Sequence, residues 1–212
     1  MSFTRISIHT CLAFVLCSST AGFARETQED IRTRMGTGNP AAGKEKSALC
    51  QGCHGASGVS AEPVYPKLAG PYAAYIQKQI RNFKAGSRKD PLMSDMAATV
   101  TDEQDLLDIS AYFASRRKMK GDAPVINEAG RARFFVDGNG CINCHGVNGK
   151  GLAPDNPSAP VIGGQHKDYL VKQLKDFRSG SRSNDPGNIM GWITSQMSDT
   201  DIEDVASYIS GL

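Results

Sequence analysis

Cys50-Gln51-Gly52-Cys53-His54 recurs further along the chain as Cys141-Ile142-Asn143-Cys144-His145, and Cys-x-x-Cys-His is the attachment signature of a c-type haem. The spacing carries the chemistry. Two cysteines three apart lie on one face of a helical turn, where both thiols reach the two vinyl groups of one porphyrin and the adjacent histidine falls beneath the iron. Two covalently bound haem c groups are therefore expected, attached through Cys50, Cys53, Cys141 and Cys144 and ligated by His54 and His145. Paired Cys-x-x-Cys units also build zinc ribbons, but four thiolates around one zinc leave the repeated histidine without a role.

Upstream of the first motif, Met1 to Ala24 opens with Arg5 and His9, continues through Cys11-Leu12-Ala13-Phe14-Val15-Leu16 and ends on the small residues Gly22 and Ala24. This reads as a secretory signal peptide cleaved after Ala24. The apolar run is too short to cross a bilayer, and no other segment approaches about 18 apolar residues, so no membrane span is expected and the periplasm is the expected compartment. Cleavage removes Cys11, Cys17 and His9. The four remaining cysteines all lie in the two motifs, and the remaining histidines are His54, His145 and His166.

Similarity between the two motifs extends along the chain. Tyr75-Ile76-Gln77-Lys78-Gln79-Ile80-Arg81-Asn82-Phe83-Lys84-Ala85-Gly86-Ser87-Arg88 matches Tyr169-Leu170-Val171-Lys172-Gln173-Leu174-Lys175-Asp176-Phe177-Arg178-Ser179-Gly180-Ser181-Arg182, and 105–113 matches 201–209. The chain is a tandem duplication. Residues 1–24 read as the signal, 25–38 as an N-terminal extension, 39–115 as domain 1, 116–124 as a charged linker with Gly121 and Pro124, and 125–212 as domain 2. Each half is small for a self-sufficient core, and a buried porphyrin supplies the apolar mass that so short a chain lacks.

The periodicity is helical throughout, and the expected class is all-α. Tyr72, Tyr75, Ile76, Ile80 and Phe83 share one helical face, as do Tyr169, Leu170, Leu174 and Phe177, and each helix is expected to stop at Gly86 or Gly180. Thr101-x-x-Gln104 and Ser198-x-x-Asp201 resemble capping boxes that open a last helix. Gly130 and Phe134 are expected to face that helix in the second half. In the first half their places are taken by Gly43 and Ser47, which predicts looser packing.

These residues resemble the cytochrome c4 family, two-domain dihaem electron carriers of bacterial periplasms built from tandem class I cytochrome c domains. The resemblance spans 39–212, and its more specific parts are Pro66-Lys67-Leu68-Ala69-Gly70 and Gly163-Gly164-Gln165-His166, each followed by a Tyr-x-x-Lys-Gln helix. It implies one haem wrapped in each half, histidine and methionine as axial ligands, and a pseudo-twofold pair of domains with the haems near their interface. It also implies transfer of electrons from a quinol-oxidising complex to a terminal oxidase.

The sixth ligand can also be argued from chemistry. A thioether is a soft, neutral donor that favours ferrous iron and raises the potential. Met93 and Met96 precede the last helix of the first half, and Met190 and Met197 that of the second. Aligning Thr101 with Ser198 sets Met93 opposite Met190, Met96 opposite Ile193 and Met197 opposite Val100, so Met93 and Met190 are the expected ligands and the others core residues. Pro66, twelve residues after His54, matches the class I proline whose carbonyl holds the axial histidine. In the second half Pro160 is the repeat-aligned choice, while Pro157 has the original spacing. His166 stands where the first half has Tyr72 and is expected to be structural or interfacial. Trp192 is expected to pack on the porphyrin, and Arg88 and Arg182 to bind haem propionates or to be plain solvated arginines.

Without the signal the chain has 23 Lys and Arg against 22 Asp and Glu, unevenly spread: 15 basic and 11 acidic over 25–120, then 8 basic and 11 acidic over 121–212. No strong basic excess or motif supports nucleic-acid binding, whereas opposite charge on the two halves suits oriented docking to redox proteins. An electron carrier rather than an enzyme is expected. The alternative is a haem enzyme, or the cytochrome subunit of one, that oxidises a sulfur compound or reduces peroxide.

Overall fold

Glycines at the expected stops and a serine at one expected start bound the helices of the computed structural model, which describes residues 27–121, 126–152 and 159–212. The expected signal peptide over 1–24, the linker's end at 122–124 and Pro157 lie outside the described residues. The first half comprises α1 (Gln28–Met35), α2 (Pro40–Lys46), α3 (Ala48–His54), α4 (Ala73–Lys84), α5 (Pro91–Ala98) and α6 (Glu103–Ser115). The second comprises α7 (Glu128–Phe135), α8 (Ile142–His145), α9 (Lys167–Ser179), a 3-10 turn Pro186–Asn188, α10 (Ile189–Ser195) and α11 (Asp199–Ser210). Among the described residues the fold is all-α, and the second half repeats the helix order of the first.

The long helices α4 and α9 end against Gly86 and Gly180, whose φ values of +69° and +76° turn the chain out of the helix. At the start of α11, Ser198 and Asp201 form the expected box: Asp201 N–H donates to Ser198 Oγ at 3.1 Å and Ser198 N–H to Asp201 Oδ2 at 2.8 Å. The box expected at Thr101 does not form. Asp102, one residue on, caps α6 instead, accepting from the N–H groups of Gln104 and Asp105 at 2.7 and 3.2 Å. Its carboxylate is favoured by the positive helix end over a hydroxyl.

Within each half, the helix before the haem motif crosses the last helix at a glycine. A Cβ on Gly43 would lie 1.9 Å from the carbonyl oxygen of Asp108, and one on Gly130 would lie 2.1 Å from that of Asp204, so no side chain fits either crossing. Phe134, fully buried, packs its ring 5.5 Å from that of Tyr208. Ser47 in the first half is equally buried, donating to Lys44 O at 3.2 Å and accepting from Gln51 Nε2 at 2.8 Å. The looser packing expected there is absent, because polar contacts replace the aromatic one. The N-terminal extension adds to them: Arg34, 2% exposed, donates to the carbonyls of Ala114 and Arg116 at 2.6 and 3.1 Å and so satisfies the free end of α6.

Residues 116–121 run between the halves as a packed strap. Met119 is 2% exposed among Ala69, Tyr72 and Val161. Its N–H donates to Ala69 O at 3.1 Å, and that of Gly121 donates to Leu212 O at 3.0 Å. Gly70 and Gly164, at φ +76° and +85°, come so close to the strap backbone that a Cβ would sit 2.4 Å from Lys118 Cα or 2.5 Å from the Lys120 carbonyl carbon.

Candidate haem sites and the seam between them

The helical turn of α3 carries Cys50, Cys53 and His54. In the second half Cys141 is the N-cap of α8, which carries Cys144 and His145. Burial pushes the Cys50 thiol up, and it pushes that of Cys141 up to about 11 against the opposing pull of Arg133. A zinc site would need all four thiols gathered round one ion. Among the described residues no three His, Cys, Asp or Glu side chains gather as a metal cluster, so the zinc alternative has no geometry.

The histidines of both motifs are buried, and the two halves orient them identically. His54 Nδ1 lies 2.8 Å from the carbonyl oxygen of Pro66, and His145 Nδ1 lies 2.8 Å from that of Pro160. A carbonyl can only accept, so each Nδ1 carries the proton and each Nε2 keeps its lone pair free for iron. Burial lowers both imidazole pKa values, with the proline carbonyls partly opposing it. The rings are held neutral, as a metal ligand must be. Of the two prolines left open by the sequence, Pro160 makes this contact.

The methionines divide by environment. Met93 on α5 and Met190 on α10 are half-buried, and each is tied to an aspartate just upstream: Met93 N–H donates to Asp90 Oδ1 at 3.0 Å and Met190 N–H to Asp185 Oδ2 at 2.8 Å. The Asp-Pro dipeptides Asp90-Pro91 and Asp185-Pro186 are thus equivalent, and the second half inserts its extra turn between dipeptide and methionine without breaking the bond. Met197, 5% exposed, is packed with Phe134, Leu170 and Ile202, and its counterpart Val100 with Ile76 and Leu106. Met96 departs from the core position expected of it and is 36% exposed, although its counterpart Ile193 packs on the second-half core. The 3-10 turn present in the second half alone gives α10 a different entry from α5. Trp192 is 58% exposed and outside that core cluster.

Arg88 and Arg182 are not solvated. Both are 8% exposed, and they reach across the seam in a pseudo-twofold exchange. Arg88 donates to Gln79 Oε1 of its own α4 at 2.7 Å, then to Tyr169 Oη at 2.9 Å and Gln173 Oε1 at 2.8 Å on α9. Arg182 donates to Gln173 Oε1 of its own α9 at 2.6 Å, then to Tyr75 Oη at 3.3 Å and Gln79 Oε1 at 3.4 Å on α4. Each guanidinium also stacks on a phenylalanine of its own half, 4.6 Å above Phe83 and 4.4 Å above Phe177. Elsewhere on the seam the Gln165 side-chain amide pairs twice with the Lys67 backbone, at 2.8 and 3.0 Å. His166, buried and interfacial, places Nε2 2.9 Å from Ser60 Oγ. Lys150 donates to Met119 O at 2.6 Å, and burial with three neighbouring lysines pulls its ammonium down to about 8.

The cytochrome c family profile matches residues 40–117 and 128–212. Cytochrome c4 of Azotobacter vinelandii is 42% identical over 191 residues, covering 82% of this chain and 90% of its own length. The chain belongs to the cytochrome c4 family. The crystal structure of reduced recombinant cytochrome c4 from Pseudomonas stutzeri superposes with a TM-score of 0.76 at 38% identity, covering 82% of this chain and 99% of that one. A "thiosulfate dehydrogenase electron acceptor" of Stutzerimonas stutzeri is 34% identical, covering 97% of this chain and 96% of its own length. Membership in the cytochrome c4 family, with a Cys-x-x-Cys-His motif and a preset imidazole in each half, makes this chain a dihaem electron-transfer protein with two covalent haem c groups. Among the described residues no helix is long and apolar enough to cross a membrane.

Sequence reasoning singled out the motif cysteines and histidines and the methionine pair Met93 and Met190, whose backbones are held in equivalent ways. It missed the exchange across the seam. The available signal was the repetition of Tyr, Gln, Phe and Arg at matching positions in both halves, a polar repeat that an isolated domain has no need to keep.

Proposed function

We propose that the chain is a periplasmic shuttle that takes electrons from a quinol-oxidising complex and passes them to a terminal oxidase, with His54 and Met93 ligating one iron and His145 and Met190 the other. A haem iron between imidazole and thioether exchanges single electrons with both ligands retained. The ligand assignment rests on the matching Asp90–Met93 and Asp185–Met190 backbone bonds, which put the two sulfur-bearing residues in equivalent places despite the inserted turn. Pro66 and Pro160 hold the imidazoles, and the two helical crossings at Gly43 and Gly130 hold the walls.

Met93→Ala and Met190→Ala should each abolish one haem's thioether-to-ferric-iron absorption band and open that iron to carbon monoxide, while Met96→Ala and Met197→Ala leave both bands in place. A first-haem band lost with Met96→Ala instead would reassign that ligand.

Docking is expected to use the opposed charges of the halves. Reduction by the donor should therefore slow as the Debye length falls from about 30 Å at 0.01 M salt to about 10 Å at 0.1 M. The likeness to the thiosulfate dehydrogenase electron acceptor favours a second donor, a thiosulfate-oxidising haem enzyme, with this chain still the carrier. Mixing the oxidised protein with each donor in turn separates the two readings by rate. Turnover of thiosulfate or peroxide by the isolated protein at about 1 per second or faster would replace both with a catalytic role.

A further inference from the structure

We infer that Arg88 and Arg182 are positioning residues for electron exchange between the two haems, an inference that rests on the carrier reading above. Each haem is bonded to its own half through the cysteines, so rotation or sliding at the seam changes the gap between the haems. Tunnelling falls off exponentially with that gap. A rigid seam is therefore a functional requirement for a two-haem carrier, beyond its contribution to stability.

The exchange of contacts meets this requirement by its form. Each arginine is stacked on its own half's phenylalanine and bonded to the other half's tyrosine and glutamine, so neither half can shift without breaking bonds at both ends of the pair. Burying a guanidinium has a desolvation cost that apolar side chains of the same volume avoid. Directional bonds in a symmetric, reciprocal pair instead specify one angle.

The test uses the full haem-loaded chain with both irons ferrous and nitroxides on Glu45→Cys and Ala129→Cys, exposed positions in α2 and α7. The remaining cysteines are consumed by the thioether links. Pulsed dipolar spectroscopy reads the spread of label distances, and a one-electron pulse reads exchange between the haems. In the Arg88→Gln/Arg182→Gln double variant the distances should broaden and exchange should slow severalfold, because tunnelling falls off exponentially with the gap. Tyr75→Phe/Tyr169→Phe, which keeps the rings and removes the phenol oxygens, should give a smaller shift in the same direction. Label distances and exchange rate both unchanged from the parent in the arginine variant, even with a lowered melting temperature, would overturn the inference and leave a purely structural contact. Should the arginine variant fail to fold, the tyrosine variant decides, and no change in it also overturns the inference. Failure of the carrier reading registers separately, as missing haem bands or absent donor reduction in the unsubstituted protein.

Discussion

The two halves hold their histidines with the same 2.8 Å bond to a proline carbonyl, yet they support that bond with different chemistry. In the second half the wall behind the haem motif is aromatic: Phe134 lies between Phe135 at 5.2 Å and Tyr208 at 5.5 Å. In the first it is ionic. Lys46 bridges Asp105 at 2.7 Å and Asp108 at 2.6 Å, and Asp108 also accepts from the Asn39 N–H at 2.8 Å. The duplicated frame is thus the pair of glycine crossings and carbonyl-held imidazoles, while the support around them has been free to diverge.

The comparison can be broken most forcefully at Phe134. Phe134→Ala should cost the second half about 3–5 kcal/mol by the loss of buried surface and the cavity left behind, read as an early unfolding transition with the first haem's spectrum intact. Next come Gly43→Ala and Gly130→Ala. Each methyl would meet a backbone carbonyl that cannot move aside, so about 1–3 kcal/mol or more is expected in either half. A loss confined to one half would show that the crossings are not equivalent. Ser47→Ala, at the position matching Phe134, should cost only about 1–2 kcal/mol, because it removes the two hydrogen bonds of one hydroxyl and leaves little void.

The last test is the ion pair. Lys46 and Asp105 are about one-third and two-fifths exposed, so solvent screens them. Its signature lies in acid. The Lys46 ammonium, then the Asn39 N–H, hold the Asp108 carboxyl at about 2 against 3.8 in the unfolded chain. The folded state therefore binds this proton less readily, and its contribution is whole above pH 4 or so and lost as pH falls through about 2. Asp108→Asn should flatten that part of the first half's melting profile, measured as unfolding temperature against pH.

Much of this frame was legible in the sequence, because a bonded haem demands fixed spacings and because helix faces and glycine stops are local signals. Met93 and Met190 could be paired by register alone. What lay beyond reach was set by distant partners. Arg88 and Gln79 look like solvent-facing residues until Tyr169 and Gln173 are brought against them, and Met119 sits in a charged stretch whose burial depends on both halves. Asp102 displaced Thr101 as a cap for a subtler reason, a contest between two acceptable residues one position apart. The choice between Pro157 and Pro160 turned on how an inserted loop is distributed, for which spacing alone offers two answers.

The strap closes on the second half, since the N–H of Gly121 is satisfied by the carbonyl of Leu212. The segment that leaves the first half is thus a clasp as well as a tether, shut only when both lobes are folded. A chain shortened by a few residues at its C-terminus would keep both haem motifs and lose the clasp.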